Sequence, residues 1–286
     1  QKGKGHPKAL AHPERVHAAK GEPRQEAGHK PAPDTGKLEL RAHPSSGGPA
    51  FTKVFGEALI PLAERDLRVH ALTAGMPSGT GLTDFAERFP LRFHDVGICE
   101  QHAVAMAAGM AKGGLRPVAA IYSTFLQRAY AQVFQEVALQ SLPVVFSLDR
   151  AGLVGQDGPT HNGVFDLAYL RTLPNLVLCA PRDASDLRRM LEMALRHDSG
   201  PVAVRYPRDE CPQDEGIPVE ERREMQPGKA EVLREGDELV LWAFGALVRQ
   251  ALAAADELAR RGHQVGVVDA RFAKPLDEEL LTRHLL

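Results

Sequence analysis

The chain of 286 residues contains 43% hydrophobic and 25% charged residues, which is typical of a globular protein of one or two domains. Its formal net charge of −2 provides no electrostatic basis for binding nucleic acid or an anionic membrane surface, and no apolar run approaches the roughly 20 residues of a membrane helix. Three cysteines without a CxxC pair favour a reducing compartment over a disulfide framework.

Residues 1–50 differ in composition from the rest of the chain. They hold 7 of the 21 prolines and 5 of the 12 histidines and show no sustained apolar periodicity. We interpret them as the tail of an upstream domain followed by an extended linker. The first residues lack an initiating Met and the apolar core of a signal peptide, and the last residues stop within a helical pattern. We therefore expect an internal piece of a longer protein.

From residue 51 onward, short hydrophobic runs alternate with longer helical patterns. The predicted strands cover 67–72, 117–122, 143–148, 176–180 and 202–206, and the predicted helices cover 51–64, 99–113, 124–140 and 183–197. Thr124 and Gln127 have the spacing of a capping box at a helix start. Strands that are almost continuously hydrophobic and alternate with helices predict an α/β domain whose parallel sheet is covered on both faces.

A second α/β unit begins near Lys229. Its predicted strands cover 238–244 and 264–270, and the predicted helix between them covers 246–261. We therefore expect a first α/β domain at 51–215 and an incomplete second domain at 216–286.

Ligands of open parallel sheets bind beyond the carboxyl ends of the strands. The residues that follow the predicted strands are Ser123, Thr124, Phe125 and Arg128, then Asp149, Arg150 and the loop AGLVGQDGPTHNG, then Pro207 and Arg208, and the segment TAGMPSGTG. This set predicts a polar edge of the sheet that suits a phosphate group.

Glu100 stands at the head of an apolar helical pattern in the segment DVGICEQHAVAMAAGMAKGG (95–114). A solvated acid in a first helical turn is the ordinary explanation, because the helix dipole stabilises it. The apolar neighbours favour a buried carboxyl group instead, which can share a proton with a ring nitrogen.

The other polar signals are open to two interpretations. The glycines of MPSGTG indicate a tight turn more than a phosphate cradle, since no GxGxxG or GxxxxGK[ST] pattern is present. Arg150 and Arg208 fit ordinary surface ion pairs or bidentate capture of an anion. Asp157 and His161 lie in a loop that either carries function or is a polar turn. No spacing of acidic and histidine residues indicates a metal site.

Four segments together are similar to one known family. RFHDVGICEQHAVAMAAGMA, AAIYSTFLQRAY, DRAGLVGQDGPTHNGVFDLAYLR and VRYPR resemble the transketolase-like thiamine diphosphate enzymes, in particular the 1-deoxy-D-xylulose-5-phosphate synthases. The resemblance implies a pyrimidine-binding domain with a parallel-sheet thiamine diphosphate-binding fold, then the start of a transketolase C-terminal domain. Transketolases and β-subunits of 2-oxo acid dehydrogenases share the glutamate, but not the STFLQRAY and DGPTH blocks together. A non-catalytic α/β module that binds a partner chain is the alternative from another functional class.

The resemblance also implies cofactor contacts. Glu100 would hydrogen bond to N1′ of the aminopyrimidine ring and favour the tautomer that removes the thiazolium C2 proton. Phe125 would stack on the pyrimidine, and Ile98 would wedge the cofactor into a bent shape. His6, after KGKG, stands where the family usually has a Tyr that contacts the cofactor, and His17 matches a histidine near the reacting centre.

Further residues would bind the substrates in the family. The phosphate and hydroxyl groups of glyceraldehyde 3-phosphate would be bound by Tyr122, Arg128, Arg150, Arg208 and, as a weaker candidate, Arg205. Asp157 and His161 would orient the bound intermediate and transfer protons. The implied reaction decarboxylates pyruvate on thiamine diphosphate and transfers the two-carbon unit to glyceraldehyde 3-phosphate, a step of isoprenoid precursor synthesis.

One feature of the family is missing from this sequence. The family binds Mg²⁺ and diphosphate through a GDG…N signature, whereas the chain contains no GDG, and its asparagines, Asn162 and Asn175, stand at unsuitable positions. We therefore expect the chain by itself to be inactive. The resemblance further implies a homodimer in the bacterial cytoplasm, with the plastid stroma as the alternative.

Overall fold

The computed structural model describes residues 47–211 and 224–285. The strands are β1 (Val69–Thr73), β2 (Phe93–Asp95), β3 (Arg116–Tyr122), β4 (Val145–Asp149), β5 (Val177–Cys179), β6 (Val202–Arg205), β7 (Glu231–Arg234), β8 (Leu239–Ala243), β9 (Val265–Asp269) and β10 (Phe272–Lys274). The α-helices are α1 (Phe51–Arg65), α2 (Thr83–Arg88), α3 (Glu100–Lys112), α4 (Ser123–Leu126), α5 (Tyr130–Gln132), α6 (Asp166–Leu170), α7 (Ala184–Arg196), α8 (Val248–Arg260) and α9 (Glu278–Leu285).

Within these residues a seven-stranded sheet has the order β10-β5-β6-β4-β3-β1-β2. Strands β1 to β6 pair in parallel, with Val145 of β4 in register with Val118 of β3 and Val202 of β6. Side chains alternate between the two faces of a strand. Accordingly, Ala71 of β1 packs in one hydrophobic cluster beneath α1 and α7, and Leu72 packs in another beneath α3. The predicted parallel α/β sheet with two covered faces is confirmed.

Two details of the prediction are wrong. Strand β1 begins at Val69 rather than at residue 67, because the Asp66 carboxylate accepts a hydrogen bond from the Arg68 backbone N–H (2.9 Å) in a turn that leaves Leu67 exposed. The capping box is also absent. Helix α4 begins at Ser123, and the Gln127 amide donates to the Thr124 carbonyl oxygen (2.8 Å) instead of reaching back to a backbone N–H.

The predicted helix at 124–140 is a broken helical segment. After α4 come a 3₁₀ turn at Gln127–Ala129, the short helix α5 and a π-helix at Val133–Ala138. Changes of helical type alter which side chains share a face, so an apolar pattern read at a constant 3.6-residue period does not detect them. The short elements β2, β7, β10, α2 and α6 were likewise not predicted from the sequence.

The second unit contains a three-stranded sheet with the order β7-β9-β8. Strand β8 is parallel to β9, and β7 is antiparallel to it. After β9 the chain leaves this sheet, and β10 pairs antiparallel with β5 of the main sheet, with Phe272 opposite Cys179. The second unit therefore supplies the edge strand of the main sheet and covers hydrogen-bonding groups that β5 would otherwise expose.

A largely buried group of charged side chains lies beside this crossing. We call Arg182, Asp186, Glu231, Asp269 and Arg271 the joint cluster. Arg182 Nη1 donates to Asp269 Oδ2 (3.0 Å) and Glu231 Oε2 (2.5 Å), and the Arg271 guanidinium also contacts Glu231. Burial raises the pKa of Asp269 to about 7 and also raises the pKa of Asp186. The cluster links the start of α7 to β7 and β9.

No helix within residues 47–211 and 224–285 combines the length and the apolar character required to cross a membrane. Of the three cysteine thiols, Cys99 is exposed and Cys179 and Cys211 are buried.

Candidate active site

Glu100 is the first residue of α3, at the carboxyl edge of the main sheet, and 2% of its surface is exposed. Asp95 shapes the preceding turn, since its Oδ1 accepts hydrogen bonds from the backbone N–H groups of Gly75 (2.7 Å) and Gly97 (3.0 Å). Arg128 Nη1 lies 3.4 Å from Glu100 Oε2, and the Arg128 side chain is 55% exposed. The predicted burial of the Glu100 carboxyl group is confirmed, whereas its chemical role remains a prediction.

Ile98 lies in the same turn and is 62% exposed. A Cβ atom added at Gly75 would lie 3.1 Å from Ile98 Cγ1, so the absence of a side chain at Gly75 leaves room for Ile98. The two residues form an apolar rim beside the buried Glu100. An exposed aliphatic side chain at this place is available to contact a ligand.

Three aromatic rings form a wall next to Glu100. The rings of Tyr122 and Phe125 stack with centroids 5.7 Å apart, and His161 meets both rings edge-on, at 6.2 Å and 5.3 Å. The Arg128 guanidinium lies 5.6 Å from the Phe125 centroid and so connects this wall with Glu100. Tyr122 is the last residue of β3 and Phe125 lies in α4, whereas His161 comes from the loop after β4.

The loop that carries Asp157 and His161 is closed at its base. Gly152 and Gly163 exchange two backbone hydrogen bonds of 2.8 Å. A side chain at Gly163 would clash with the carbonyl oxygen of Arg150, so glycine is required where the loop returns to the sheet. Within the loop, the Asn162 amide oxygen accepts a hydrogen bond from the Val154 N–H (3.0 Å).

Asp157 brings two of the predicted arginines together. Arg208 Nη1 donates to Asp157 Oδ1 at 2.6 Å, and Arg150 Nε lies 3.4 Å from Asp157 Oδ2. We call Asp149, Arg150, Asp157 and Arg208 the edge cluster. Its outer members remain accessible, since the side chains of Arg208 and Asp157 are 36% and 22% exposed. The two guanidinium groups thus share one carboxylate at the edge of the sheet.

The inner part of the edge cluster includes residues outside the predicted site set. Asp149 is fully buried at the end of β4, and its Oδ2 accepts a hydrogen bond from Thr52 Oγ1 (2.6 Å). Arg150 Nη1 donates to the carbonyl oxygen of Gly79 (2.8 Å). The position of Asp149 after a strand was a usable sequence signal. No local pattern indicates Thr52, which lies 97 residues from Asp149 in the chain.

Burial also alters the acid–base properties of two groups at this edge. It raises the pKa of Tyr122 to about 12, although the charge of Arg150 acts in the opposite direction. Burial likewise raises the pKa of Asp149, and the charge of Arg150 and the Thr52 hydroxyl partly offset this effect. The Tyr122 hydroxyl therefore remains protonated at neutral pH and is available as a hydrogen-bond donor.

The remaining predicted residues are placed differently. Arg205 is 14% exposed, and its Nε donates to the buried Asp166 carboxylate at 2.8 Å. Arg205 therefore pairs with Asp166 and does not join Arg150 and Arg208 at the Asp157 carboxylate. His6 and His17 lie outside the described residues. Within residues 47–211 and 224–285, no group of three or more His, Cys, Asp and Glu side chains is arranged to hold a metal ion.

These contacts make one continuous surface along the carboxyl edge of the sheet. The groups along it are a buried carboxyl group, an aromatic wall and two arginines beside a polar loop that is closed by its own hydrogen bonds. The carboxyl group offers hydrogen bonding and the aromatic wall offers stacking, which are the two interactions that suit a heteroaromatic ring. The arginines suit an anionic group, because a guanidinium donates two parallel hydrogen bonds.

Family models match both parts of the chain. The model of the transketolase pyrimidine-binding domain matches residues 47–213, and that of the transketolase C-terminal domain matches residues 228–285. The chain belongs to the transketolase family. The surface from Glu100 to the edge cluster lies entirely within residues 47–213, the part matched by the pyrimidine-binding domain model.

Curated relatives refine the resemblance. The chain is 54% identical to a 1-deoxy-D-xylulose-5-phosphate synthase of Gloeobacter violaceus, over 86% of this chain and 38% of the relative. It is 50% identical to a synthase of the same name from Desulforudis audaxviator, over 99% of this chain and 42% of the relative. The chain therefore spans about two fifths of these curated relatives.

Solved structures agree with the family assignment. A split-gene transketolase, described as an inactive β4 tetramer, is 33% identical and superposes with a TM-score of 0.74, over 83% of this chain and 76% of that chain. Transketolase from Leishmania mexicana has a TM-score of 0.71 at 23% identity, over 82% of this chain and 36% of that chain, which supports the fold alone.

Proposed function

We propose that the chain is the pyrimidine-binding and C-terminal part of a 1-deoxy-D-xylulose-5-phosphate synthase. The enzyme would decarboxylate pyruvate and transfer the two-carbon unit to D-glyceraldehyde 3-phosphate, with 1-deoxy-D-xylulose 5-phosphate and CO₂ as products. The observation that carries this proposal is the buried Glu100 carboxyl group beside the aromatic wall and the edge cluster. Identities of 50% and 54% to synthases of that name support the same reaction.

The residues of the site fit thiamine diphosphate. Glu100 would hydrogen bond to the aminopyrimidine ring, Phe125 would stack on it, and Ile98 would contact it from the exposed rim. When bound, the cofactor supplies a nucleophilic carbon that is able to attack a ketone and stabilise the charge left by decarboxylation. Glu100 would contribute by holding a proton at a ring nitrogen of the cofactor.

The edge cluster would recognise the acceptor. Arg150 and Arg208 would bind the phosphate of glyceraldehyde 3-phosphate. The phosphate would either replace the Asp157 carboxylate as their partner or bind to them beside it. Tyr122 keeps its hydroxyl proton and would donate a hydrogen bond to an oxygen of the substrate, and His161 would transfer a proton near the aldehyde. Arg128 contacts both Glu100 and Phe125, which supports a role for it at the junction between cofactor and substrate.

The complete enzyme would need Mg²⁺ and a diphosphate site from residues outside this chain, and we expect a homodimer in the bacterial cytoplasm. The chain alone would then be inactive. The description of the related split-gene transketolase as an inactive β4 tetramer agrees with this expectation. The absence of a GDG sequence from the chain is consistent with it as well.

A transketolase is the nearest rival, because a split-gene transketolase covers most of the chain at 33% identity. The two enzymes differ in the donor of the two-carbon unit. A synthase uses pyruvate and releases CO₂, whereas a transketolase uses a ketose phosphate and releases an aldose phosphate. Product analysis with each donor and the same acceptor therefore separates the two functions.

The principal test is Glu100→Gln in the complete protein that contains this chain. Glutamine keeps the shape of the side chain but does not exchange a proton with the ring, so we expect turnover of pyruvate and glyceraldehyde 3-phosphate to fall by at least about 100-fold. The readout is formation of 1-deoxy-D-xylulose 5-phosphate, with the melting temperature as a measure of folding.

Glu136→Gln is the matched control, because Glu136 is an exposed glutamate on the π-helix and is expected to leave turnover unchanged. Near-normal turnover of a folded Glu100→Gln enzyme would remove Glu100 from the mechanism. Turnover with a ketose phosphate donor but not with pyruvate would favour the transketolase.

A further inference from the structure

Asp149 and Thr52 form a closed ring of hydrogen bonds with Arg150. Thr52 Oγ1 donates to Asp149 Oδ2 at 2.6 Å and accepts from Arg150 Nη1 at 3.2 Å. Asp149 Oδ1 lies 3.0 Å from the same Nη1 and accepts the Arg150 backbone N–H at 2.7 Å. The ring joins the first turn of α1 to the end of β4.

Further contacts fix the orientation of the Arg150 side chain. Arg150 Nη1 donates to the Gly79 carbonyl oxygen at 2.8 Å, and the guanidinium carbon lies 4.3 Å from the centroid of the Tyr122 ring. The Arg150 backbone has a φ of 59°, a left-handed conformation that is unfavourable for a residue with a side chain. The surroundings must hold this conformation, because the residue does not prefer it.

The two ends of the guanidinium therefore have different environments. Nη1 is enclosed by Asp149, Thr52 and the Gly79 carbonyl, whereas Nε faces Asp157 at 3.4 Å on the loop side. An arginine fixed in this way loses little side-chain freedom when it binds an anion. Arg208 has no comparable enclosure, since its side chain is 36% exposed.

We propose that Asp149 and Thr52 are positioning residues for acceptor recognition, and that their ring with Arg150 fixes the guanidinium that binds the acceptor phosphate. This inference rests on the proposed function, which assigns Arg150 to that phosphate. Neither residue touches the substrate. They act through the orientation of Arg150, and Thr52 is the side chain whose removal opens the ring with the smallest change in shape.

The test is Thr52→Val in the complete enzyme. Valine has nearly the shape of threonine but neither donates to Asp149 nor accepts from Arg150. We expect the KM for glyceraldehyde 3-phosphate to rise about tenfold, with the kcat and the KM for pyruvate within about twofold of the wild type. Inorganic phosphate, used as a competitor of glyceraldehyde 3-phosphate, should bind more weakly by a similar factor. Thr52→Ser retains the hydroxyl and should restore both the KM for glyceraldehyde 3-phosphate and the affinity for inorganic phosphate.

Two controls separate positioning from a loss of stability. Thr282→Val makes the same substitution at an exposed threonine of α9, whose hydroxyl donates to the Glu278 carbonyl, and should leave every constant unchanged. The melting temperature of each variant shows whether it is folded. Equal rises in both KM values, or no rescue by Thr52→Ser, would show a merely structural role and overturn the inference.

The outcomes also distinguish the inference from the proposed function. If Arg150→Ala raises the KM for glyceraldehyde 3-phosphate and a folded Thr52→Val does not, the inference fails and the proposed function stands. If the wild-type enzyme forms no product from pyruvate and glyceraldehyde 3-phosphate, both fail.

Discussion

The edge cluster and the joint cluster are built from the same chemical groups, arginines and carboxylates, but they differ in their access to water. At the edge, the side chains of Asp157 and Arg208 are 22% and 36% exposed. At the joint, those of Asp186 and Asp269 are completely buried, and the Arg271 side chain is 9% exposed. An exposed ion pair exchanges partners at little cost, whereas a buried charge that loses its partner is strongly destabilised.

This difference in exposure indicates that the arginine–carboxylate pairs of the two clusters have different roles. The outer pair of the edge cluster, Asp157 and Arg208, is suited to exchange with an anionic ligand, because solvent stabilises each group when the contact opens. The joint cluster is suited to a permanent contact between two parts of the chain. It lies where β10 of the second unit joins the sheet of the first, so that pairing of strands and pairing of charges depend on each other.

The largest effect on stability is expected from Arg182→Met in the joint cluster. The substitution removes the guanidinium that donates to the buried Asp269 and faces the buried Asp186, and it leaves Arg271 as the remaining cation of the cluster. We expect the free energy of unfolding to fall by about 3–5 kcal/mol, measured by urea denaturation at pH 7. Arg196→Met, at a side chain that is 63% exposed, is the control and should cost less than about 1 kcal/mol. Equal losses in the two variants would contradict the distinction between the clusters.

A smaller effect should appear in the pH dependence of the joint. Burial raises the pKa of Asp269 from 3.8 to about 7, so the folded protein binds a proton between these values that the unfolded chain has lost. The stability from this group is complete below about pH 4 and is lost as the pH rises through 7. Burial raises the pKa of Asp186 in the same direction, while Arg182 and Arg271 lower both. The pKa of Glu231 is lowered, so this group changes the stability only at a pH more acidic than the range considered for Asp269.

Asp269→Asn tests this linkage, because asparagine stays neutral. We expect the wild type to lose about 2 kcal/mol of unfolding free energy between pH 5 and pH 8, and the variant to lose clearly less, in urea titrations at each pH. A wild-type stability that is constant or rises over this range would contradict a proton held at the joint.

The smallest effect on stability is expected from Arg208→Ala in the edge cluster. The exposed pair with Asp157 should contribute less than about 1 kcal/mol to folding. The KM for glyceraldehyde 3-phosphate in the complete enzyme should nevertheless rise at least tenfold, because a hydrogen bond to a charged group contributes about 1.5–3 kcal/mol. The exposed Arg283→Ala is the control. A raised KM for pyruvate alone would contradict the assignment of Arg208.

The sequence indicates more of the edge cluster than of the joint cluster. Arg150, Asp157 and Arg208 follow strands of a predicted parallel sheet, and the carboxyl ends of parallel strands meet at one edge. The joint cluster combines Arg182 with Glu231, which is 49 residues away, and with Asp269, which is 87 residues away. No periodicity or motif records that pairing. Asp149 is indicated by the sequence because it directly follows a predicted strand. Its partner Thr52 is not, because it lies 97 residues away in the chain.

Sequence patterns alone predict the parallel α/β sheet, the buried glutamate at the start of α3 and the edge where the polar residues gather. These features follow from hydrophobic periodicity and from residues adjacent to strands, which are local properties of the chain. Long-range contacts, in contrast, establish that β10 completes the sheet of the other unit, that Arg205 pairs with Asp166, and that Thr52 closes the ring around Arg150. Each of these contacts joins segments far apart in sequence, so its partners are set by packing and burial rather than by spacing.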